Sequence, residues 1–288
     1  MHTTAAPASR VRIPALATAL LLWAALSGCG AGRGDDGAPD PGRSATAAHP
    51  APPPAHAGFD YQIGGAYPPP DGVRVLSRDR AHDPAPGHYN VCYVNGFQAQ
   101  PDALDWWQRH HPDLVLRTGS GKPVLDTDWN EALLDTSTAA HRDELAVLVG
   151  GWIDGCAEKG FQAVEVDNLD SYERSGDRLS RADKRVAFAA LLTRRAHRSG
   201  LAAGQKNAQE LLPRRTAMGF DFAVTEECGQ YGECGRYAEA YDDRVLDVEY
   251  TAEGLAAACR AWGERLSVVR RDLDVRPAGE DGHHYERC

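Results

Sequence analysis

Past residue 57 the chain alternates short apolar runs with longer stretches that carry a helical stripe. The runs FDYQIG (59–64), YNVCYV (89–94), LVLR (114–117), QAVEVDN (162–168), LAAGQKN (201–207), FDFAVTEE (220–227), RVLDVEY (244–250) and LSVVRRD (266–272) have the length and apolar content of buried strands. Between them, Leu145, Leu148, Val149, Trp152, Ile153 and Cys156 repeat at helical spacing, and Gly160 ends that helix. A second helix is predicted from Ser180, with Asp183 three residues on as a capping-box variant, to Gly200. Eight strands alternating with helices predict an α/β protein: a single (β/α)₈ TIM-type barrel domain over 58–288. A doubly wound open sheet competes with it, but TGSGKP (118–123) lacks the Walker spacing and has Pro123 where Ser or Thr belongs.

The polar positions are as informative as the apolar ones. Four predicted strands change character at their C-terminal ends, the rim where a parallel barrel builds its active site. They close in Glu165-Val166-Asp167-Asn168, Gln205-Lys206-Asn207, Glu226-Glu227 and Asp247-Val248-Glu249-Tyr250. Strand alternation puts Glu165 and Asp167 on one face, and Glu227 faces outward if Glu226 faces in. A single acid at a strand end can equally cap the next helix or pair with an arginine; Asp170 fits a turn and Asp183 a cap. Four strand ends doing this together predict a polar cup.

Two carboxylates on facing strand ends suit glycoside hydrolysis, one as acid/base and one as nucleophile or base, with their separation deciding retention or inversion. Oxygen ligation of Mg²⁺ or Ca²⁺ is the alternative use of such acids. DNLDSYE lacks the EF-hand rhythm, HExxH is missing, and the His pairs at 110–111 and 283–284 read as solvated. A serine nucleophile lacks its GxSxG elbow.

The N-terminus and the cysteines set the compartment. Arg10 and Arg12 precede the apolar run IPALATALLLWAALSG, which is too short to span a membrane. LSGC (26–29) is similar to a bacterial lipobox, so 1–28 is expected to be a lipoprotein signal peptide with Cys29 lipidated. Residues 29–57, rich in Pro, Ala and Gly, read as a tether. The expected location is the outer side of the bacterial cell membrane, lipid-anchored or secreted, with the membrane touched through that anchor alone. Six further cysteines, Cys92, Cys156, Cys228, Cys234, Cys259 and Cys288, suggest three disulfides among fifteen possible connectivities. The net charge of −10 argues against nucleic acid and anionic lipid and favours a neutral or cationic partner.

VEVDNLDSY, GQKNAQE, FDFAVTEECGQYGEC and VEY, preceded by NVCYVNGFQ and LLDTS, resemble in order the blocks of glycoside hydrolase family 114, the endo-α-1,4-polygalactosaminidases, over most of 59–288. The resemblance implies a TIM-like barrel, no cofactor, no metal, and endo-hydrolysis of α-1,4-linked galactosamine polymers. It implies Asp167 as nucleophile and Glu226 as general acid/base, with Tyr93, Asp135, Lys206, Asn207, Glu249 and Tyr250 as sugar-binding positions. Glu165, Asn168 and Asp170 join them from the same block. Two departures mark a divergent branch: Phe59 replaces the family's usual Trp, where an aromatic could stack on a sugar, and Thr225-Glu226-Glu227-Cys228 replaces Asn-Glu-Gln-Cys. A Glu227 facing the cup would favour a cationic amino sugar. Cys156 on its core-facing stripe and Cys92 beside Tyr93, hence facing the helices, permit a Cys92–Cys156 bridge. Cys228–Cys234 then forms a local loop and Cys259–Cys288 staples the C-terminus. The expected partner is a polysaccharide bound by a monomer. The competing functions are a non-catalytic carbohydrate-binding lipoprotein on the same barrel and a metal-dependent polysaccharide hydrolase or deacetylase.

Overall fold

A computed structural model describes residues 49–176, 178–179 and 182–288. The expected signal peptide with Cys29, most of the expected tether and the helix start expected at Ser180 lie outside the described residues. Eight strands run parallel: β1 Phe59–Gln62, β2 Val75–Asp79, β3 Tyr89–Asn95, β4 Ala163–Asp167, β5 Ala202–Lys206, β6 Phe222–Glu226, β7 Val245–Glu249 and β8 Ser267–Arg271. Each pairs with its neighbour in chain order, and a short β9, Tyr285–Arg287, adds antiparallel to β8. This is the expected barrel of eight strands, with one strand reassigned. Val75–Asp79 is β2, whereas Leu114–Arg117 lies in the β3–β4 excursion, where only isolated bridges hold Val115 and Arg117.

Seven helices accompany the strands among the described residues: α1 Leu104–His110, α2 Ala139–Lys159, α3 Ala182–Arg198, α4 Arg215–Met218, α5 Cys228–Tyr231, α6 Cys234–Tyr241 and α7 Ala252–Trp262. Thr138 caps α2, its side chain accepting from the backbone N–H of His141, and Gly160 ends the helix in the left-handed conformation at φ 93°. The buried stripe of Leu145, Val149, Ile153 and Cys156 packs against β3 and β4 through Val94, Val164 and Val166. Among the described residues, no α-helix lies in the β1–β2 or β2–β3 connections.

Inside the barrel, alternate residues form layers. Phe59, Val75, Val91, Ala163, Ala202, Phe222 and Leu246 pack in the interior, and Glu165, Asp167 and Lys206 follow on the same faces of β4 and β5. Gly204 is required here, because a Cβ would lie 2.7 Å from the Phe222 ring. The seam between β1 and β8 is closed by a side chain. The fully buried Arg271 pairs with Asp60 at 3.0 Å and donates to the backbone carbonyls of Tyr61, His284 and Arg276.

Disulfides join Cys92–Cys156, Cys228–Cys234 and Cys259–Cys288. The first ties β3 to α2, and the last ties the chain end to α7. A small antiparallel sheet, Gln98–Ala99, Glu131–Leu133 and Leu125–Asp126, fills the excursion between β3 and α2 and reaches over the C-terminal face of the barrel.

Candidate active site

A cavity of about 340 Å³ opens at the C-terminal ends of the strands. Lys206, at the end of β5, is buried at its floor. Its Nζ lies 3.2 Å from Glu165 Oε1, 3.3 Å from Asp167 Oδ1 and 3.3 Å from Glu226 Oε2. One nitrogen therefore gathers acids from β4 and β6. Two oxygens each 3.3 Å from one nitrogen are at most twice that, 6.6 Å, apart.

Each carboxylate has its own donors. Tyr93 OH donates to Asp167 Oδ2 at 2.6 Å. Tyr250 OH donates to Glu226 Oε1, and Asn207 Nδ2 donates to Glu226 Oε2 at 3.0 Å. Asn207 Oδ1 accepts from the Glu226 backbone N–H, so one amide fixes both ends of this residue. Beneath them Glu165, fully buried, accepts from Tyr61 OH at 2.7 Å and Ser77 Oγ at 2.8 Å.

These environments pull the titrations apart. Burial would raise Asp167, but the Lys206 ammonium, Tyr93 and the Asn168 backbone N–H together hold it below the usual carboxylate range. Burial alone would discharge Lys206; Asp167, Glu226 and Glu165 instead hold it well above the usual lysine range. Burial keeps Glu165 raised despite Lys206. Burial and nearby carboxylates push Tyr61, Tyr93 and Tyr250 well up, leaving them neutral donors. The floor thus holds an ionised Asp167 facing a half-exposed Glu226.

The walls carry residues that strand reasoning did not single out. Asp79 ends β2, Glu131 and Trp129 come from the small sheet and its turn, and Asp274 lies after β8. Trp129 is 53% exposed at the rim. Glu131 is pushed up to about 7 by burial, although the Asn95 and Asn168 amides donate to it at 2.9 and 3.3 Å. Asp79, Glu131, Asp167, Asp170, Glu226 and Asp274 make six lining carboxylates against two cations, Arg174 and Lys206. Arg174 is already paired with Asp170 at 2.9 Å and Asp126 at 2.7 Å.

Of the residues singled out from sequence, Tyr93, Asp167, Asn168, Asp170, Lys206, Asn207, Glu226 and Tyr250 line the cavity. Two do not. Asp135 sits before α2, accepting from the Ser137 N–H at 2.8 Å and pairing with His141 at 3.1 Å. Glu249 points the other way, because Leu246, Val248 and Tyr250 take the inward positions of β7 and alternation sends Asp247 and Glu249 toward the helices. Its Oε1 accepts from the Gly229 N–H at 2.6 Å, and Gly254 leaves room for it. Glu227 lies outside the lining, in the left-handed conformation at φ 58°. Phe59 is fully buried in the barrel interior and does not line the cavity.

Two clusters of potential metal ligands occur among the described residues, both away from the cavity. Cys228, Cys234 and Asp247 form one, but its cysteines are spent in a disulfide; His49, His197 and Asp221 form the other.

The model of glycoside-hydrolase family GH114 matches residues 41–288. The structure of Ega3 from Aspergillus fumigatus in complex with galactosamine is similar over 86% of this chain and 100% of that one, with a TM-score of 0.66 at 21% identity. The glycoside hydrolase domain of PelA from Pseudomonas aeruginosa is similar over 77% of this chain and 96% of that one, with a TM-score of 0.56 at 16% identity. At such identities these two structures bear on the fold. No curated protein matches the sequence.

Proposed function

Since the chain belongs to glycoside-hydrolase family GH114, we propose that this glycoside hydrolase is a retaining endo-hydrolase of α-1,4-linked galactosamine polysaccharide, exported and lipid-anchored through Cys29. The observation that carries the reading is the single ammonium of Lys206 shared by Asp167 and Glu226. A gap of about 5–5.5 Å between catalytic carboxyls fits retention, and about 6.5–9.5 Å fits inversion. The limit of 6.6 Å is reached here only with three collinear atoms, so the geometry favours retention.

In the first step Glu226, protonated, gives its proton to the glycosidic oxygen as the C1–O bond breaks. Asp167 Oδ attacks C1 and forms a glycosyl ester. In the second step Glu226, now a carboxylate, takes a proton from water, whose oxygen attacks C1 and releases Asp167. Lys206 and Tyr93 keep Asp167 ionised before attack. Tyr250 and Asn207 aim Glu226.

The excess of lining carboxylates supports a cationic amino sugar over a neutral or acidic one. The galactosamine in the Ega3 structure accords with that choice. Three disulfides accord with an oxidising compartment. The test is reducing-end release from a partly deacetylated α-1,4-galactosamine polymer, comparing wild type with Asp167→Asn and Glu226→Gln. Release by wild type alone, with the first-formed anomer α by NMR, is the expected result; a β product would replace retention by inversion. Equal release by Glu226→Gln would remove Glu226 from the pair.

A further inference from the structure

A second cavity of about 210 Å³ opens beside the first, and Gln100 lines both. Its chemistry is the reverse of its neighbour's. No carboxylate lines it; the indoles of Trp106, Trp107 and Trp152 face the Asn95 and Gln100 amides and the Arg80 guanidinium. Edge-to-face contacts fix the rings, with Trp106–Trp107 and Trp107–Trp152 centroids 5.2 and 5.9 Å apart. Trp107 is buried, Trp152 half-buried and Trp106 37% exposed, so the aromatic wall keeps an open edge. Arg80 lies 4.4 Å over the Trp152 ring, and among the described residues its guanidinium has no ion-pair or hydrogen-bond partner.

Such a wall suits the apolar face of a pyranose, and the Gln100 amide suits its hydroxyls, Asn95 being already spent on Glu131, Asn168 and the Gln98 N–H. The substituent at C2 decides which pyranose. A protonated amine would meet the Arg80 charge with no carboxylate to offset it. An acetamido group is neutral: its carbonyl can accept from Arg80, and its methyl suits an indole face. The two cavities adjoin at Gln100.

We propose that this Trp-lined cavity is a subsite for an N-acetylated hexosamine unit of the same polysaccharide whose free-amine unit occupies the acidic cavity. The proposal rests on the hydrolase reading above and deepens it: cleavage is directed by the acetylation pattern of the polymer.

Two readouts test it. The first is titration of methyl α-N-acetylgalactosaminide and methyl α-galactosaminide, followed by tryptophan fluorescence and saturation-transfer NMR. Wild type should bind the N-acetyl glycoside with quenching; Trp106→Ala and Arg80→Ala should each weaken it about tenfold, and Trp106→Phe should restore most of it. The second is the ratio of kcat/KM on partly N-acetylated over fully deacetylated polymer, which should fall about tenfold in Trp106→Ala. A general loss of fold would lower both polymers' values and leave the ratio unchanged. No binding of the N-acetyl glycoside by wild type, or an unchanged ratio in Trp106→Ala and Arg80→Ala that still cut fully deacetylated polymer at the wild-type kcat/KM, would overturn the subsite. If neither polymer is cut, the hydrolase reading fails and the glycoside titration alone decides the subsite.

Discussion

Lys206 is one cation serving three carboxylates, and its removal should be felt first at Asp167. The folded-state titration of Asp167 is depressed, so its ionised form is present above that value and lost as pH falls through it. Lys206→Met removes the main opposing charge, and the acid limb of kcat/KM should move to higher pH with kcat reduced about 10²-fold. An unmoved acid limb would show that Lys206 does not set this titration. Glu131 works in the opposite sense. Raised to about 7, it gains its charge as pH passes through neutrality. KM for a galactosamine polymer should therefore fall from about pH 6 to about pH 7, the range in which its amines keep most of their charge. Glu131→Gln should flatten that slope and leave kcat nearly unchanged, as steady-state kinetics across the range would show. Sequence alone exposed the floor of this site, because Glu165, Asp167, Lys206 and Glu226 end strands whose apolar parts announce themselves. Glu131, Trp129 and Asp274 were not legible, since they reach the cavity through an excursion and a loop whose paths no local pattern encodes.

At the scale of elements, alternation within a strand decides function from structure. Glu249 and Tyr250 are adjacent, so both cannot face the axis; Tyr250 does, and Glu249 is left with Asp247 on the helix side of β7. There burial raises both carboxyls above the usual range. Burial, then the neighbouring charge, raises Asp247 well above its ordinary value. A raised folded-state value means that the folded protein binds the extra proton, so stability declines as pH rises from the ordinary carboxylate range through that value. Asp247→Asn removes the group that must ionise, while its amide oxygen can still accept from Thr225 Oγ1. Its thermal midpoint should equal or exceed that of wild type above neutral pH, with the difference widening as pH rises. A parallel decline in both proteins would exclude this pair as the cause. The same alternation explains why β2 was illegible. Val75–Asp79 spends Ser77 on Glu165 and Arg78 on Gln62, so a buried strand reads as polar. Leu114–Leu116 are buried too, but under the excursion, and their apolar run mimics a barrel strand.

For the whole molecule, the question is what holds a barrel that carries so much buried charge. The polar floor and the Arg271 seam sit where most small domains place hydrocarbon, and among the described residues the first two strand connections lack α-helices. Covalent closure offsets this through the unfolded chain, by an amount that grows with the loop closed. Cys92–Cys156 spans 64 residues, Cys259–Cys288 spans 29 and Cys228–Cys234 spans 6. In the chain-entropy model these correspond to about 4.3, 3.6 and 2.2 kcal/mol. Paired Cys→Ala substitutions should therefore destabilise in that order, measured by urea unfolding under oxidising conditions. Activity should discriminate differently. Cys228 follows the strand that carries Glu226, and its backbone N–H reaches Asp247. Losing the smallest loop should cost least in stability yet most in kcat, whereas losing Cys259–Cys288 should leave kcat intact at temperatures well below unfolding. Destabilisation in the reverse order would mean that native packing around each bridge, rather than loop length, governs its contribution.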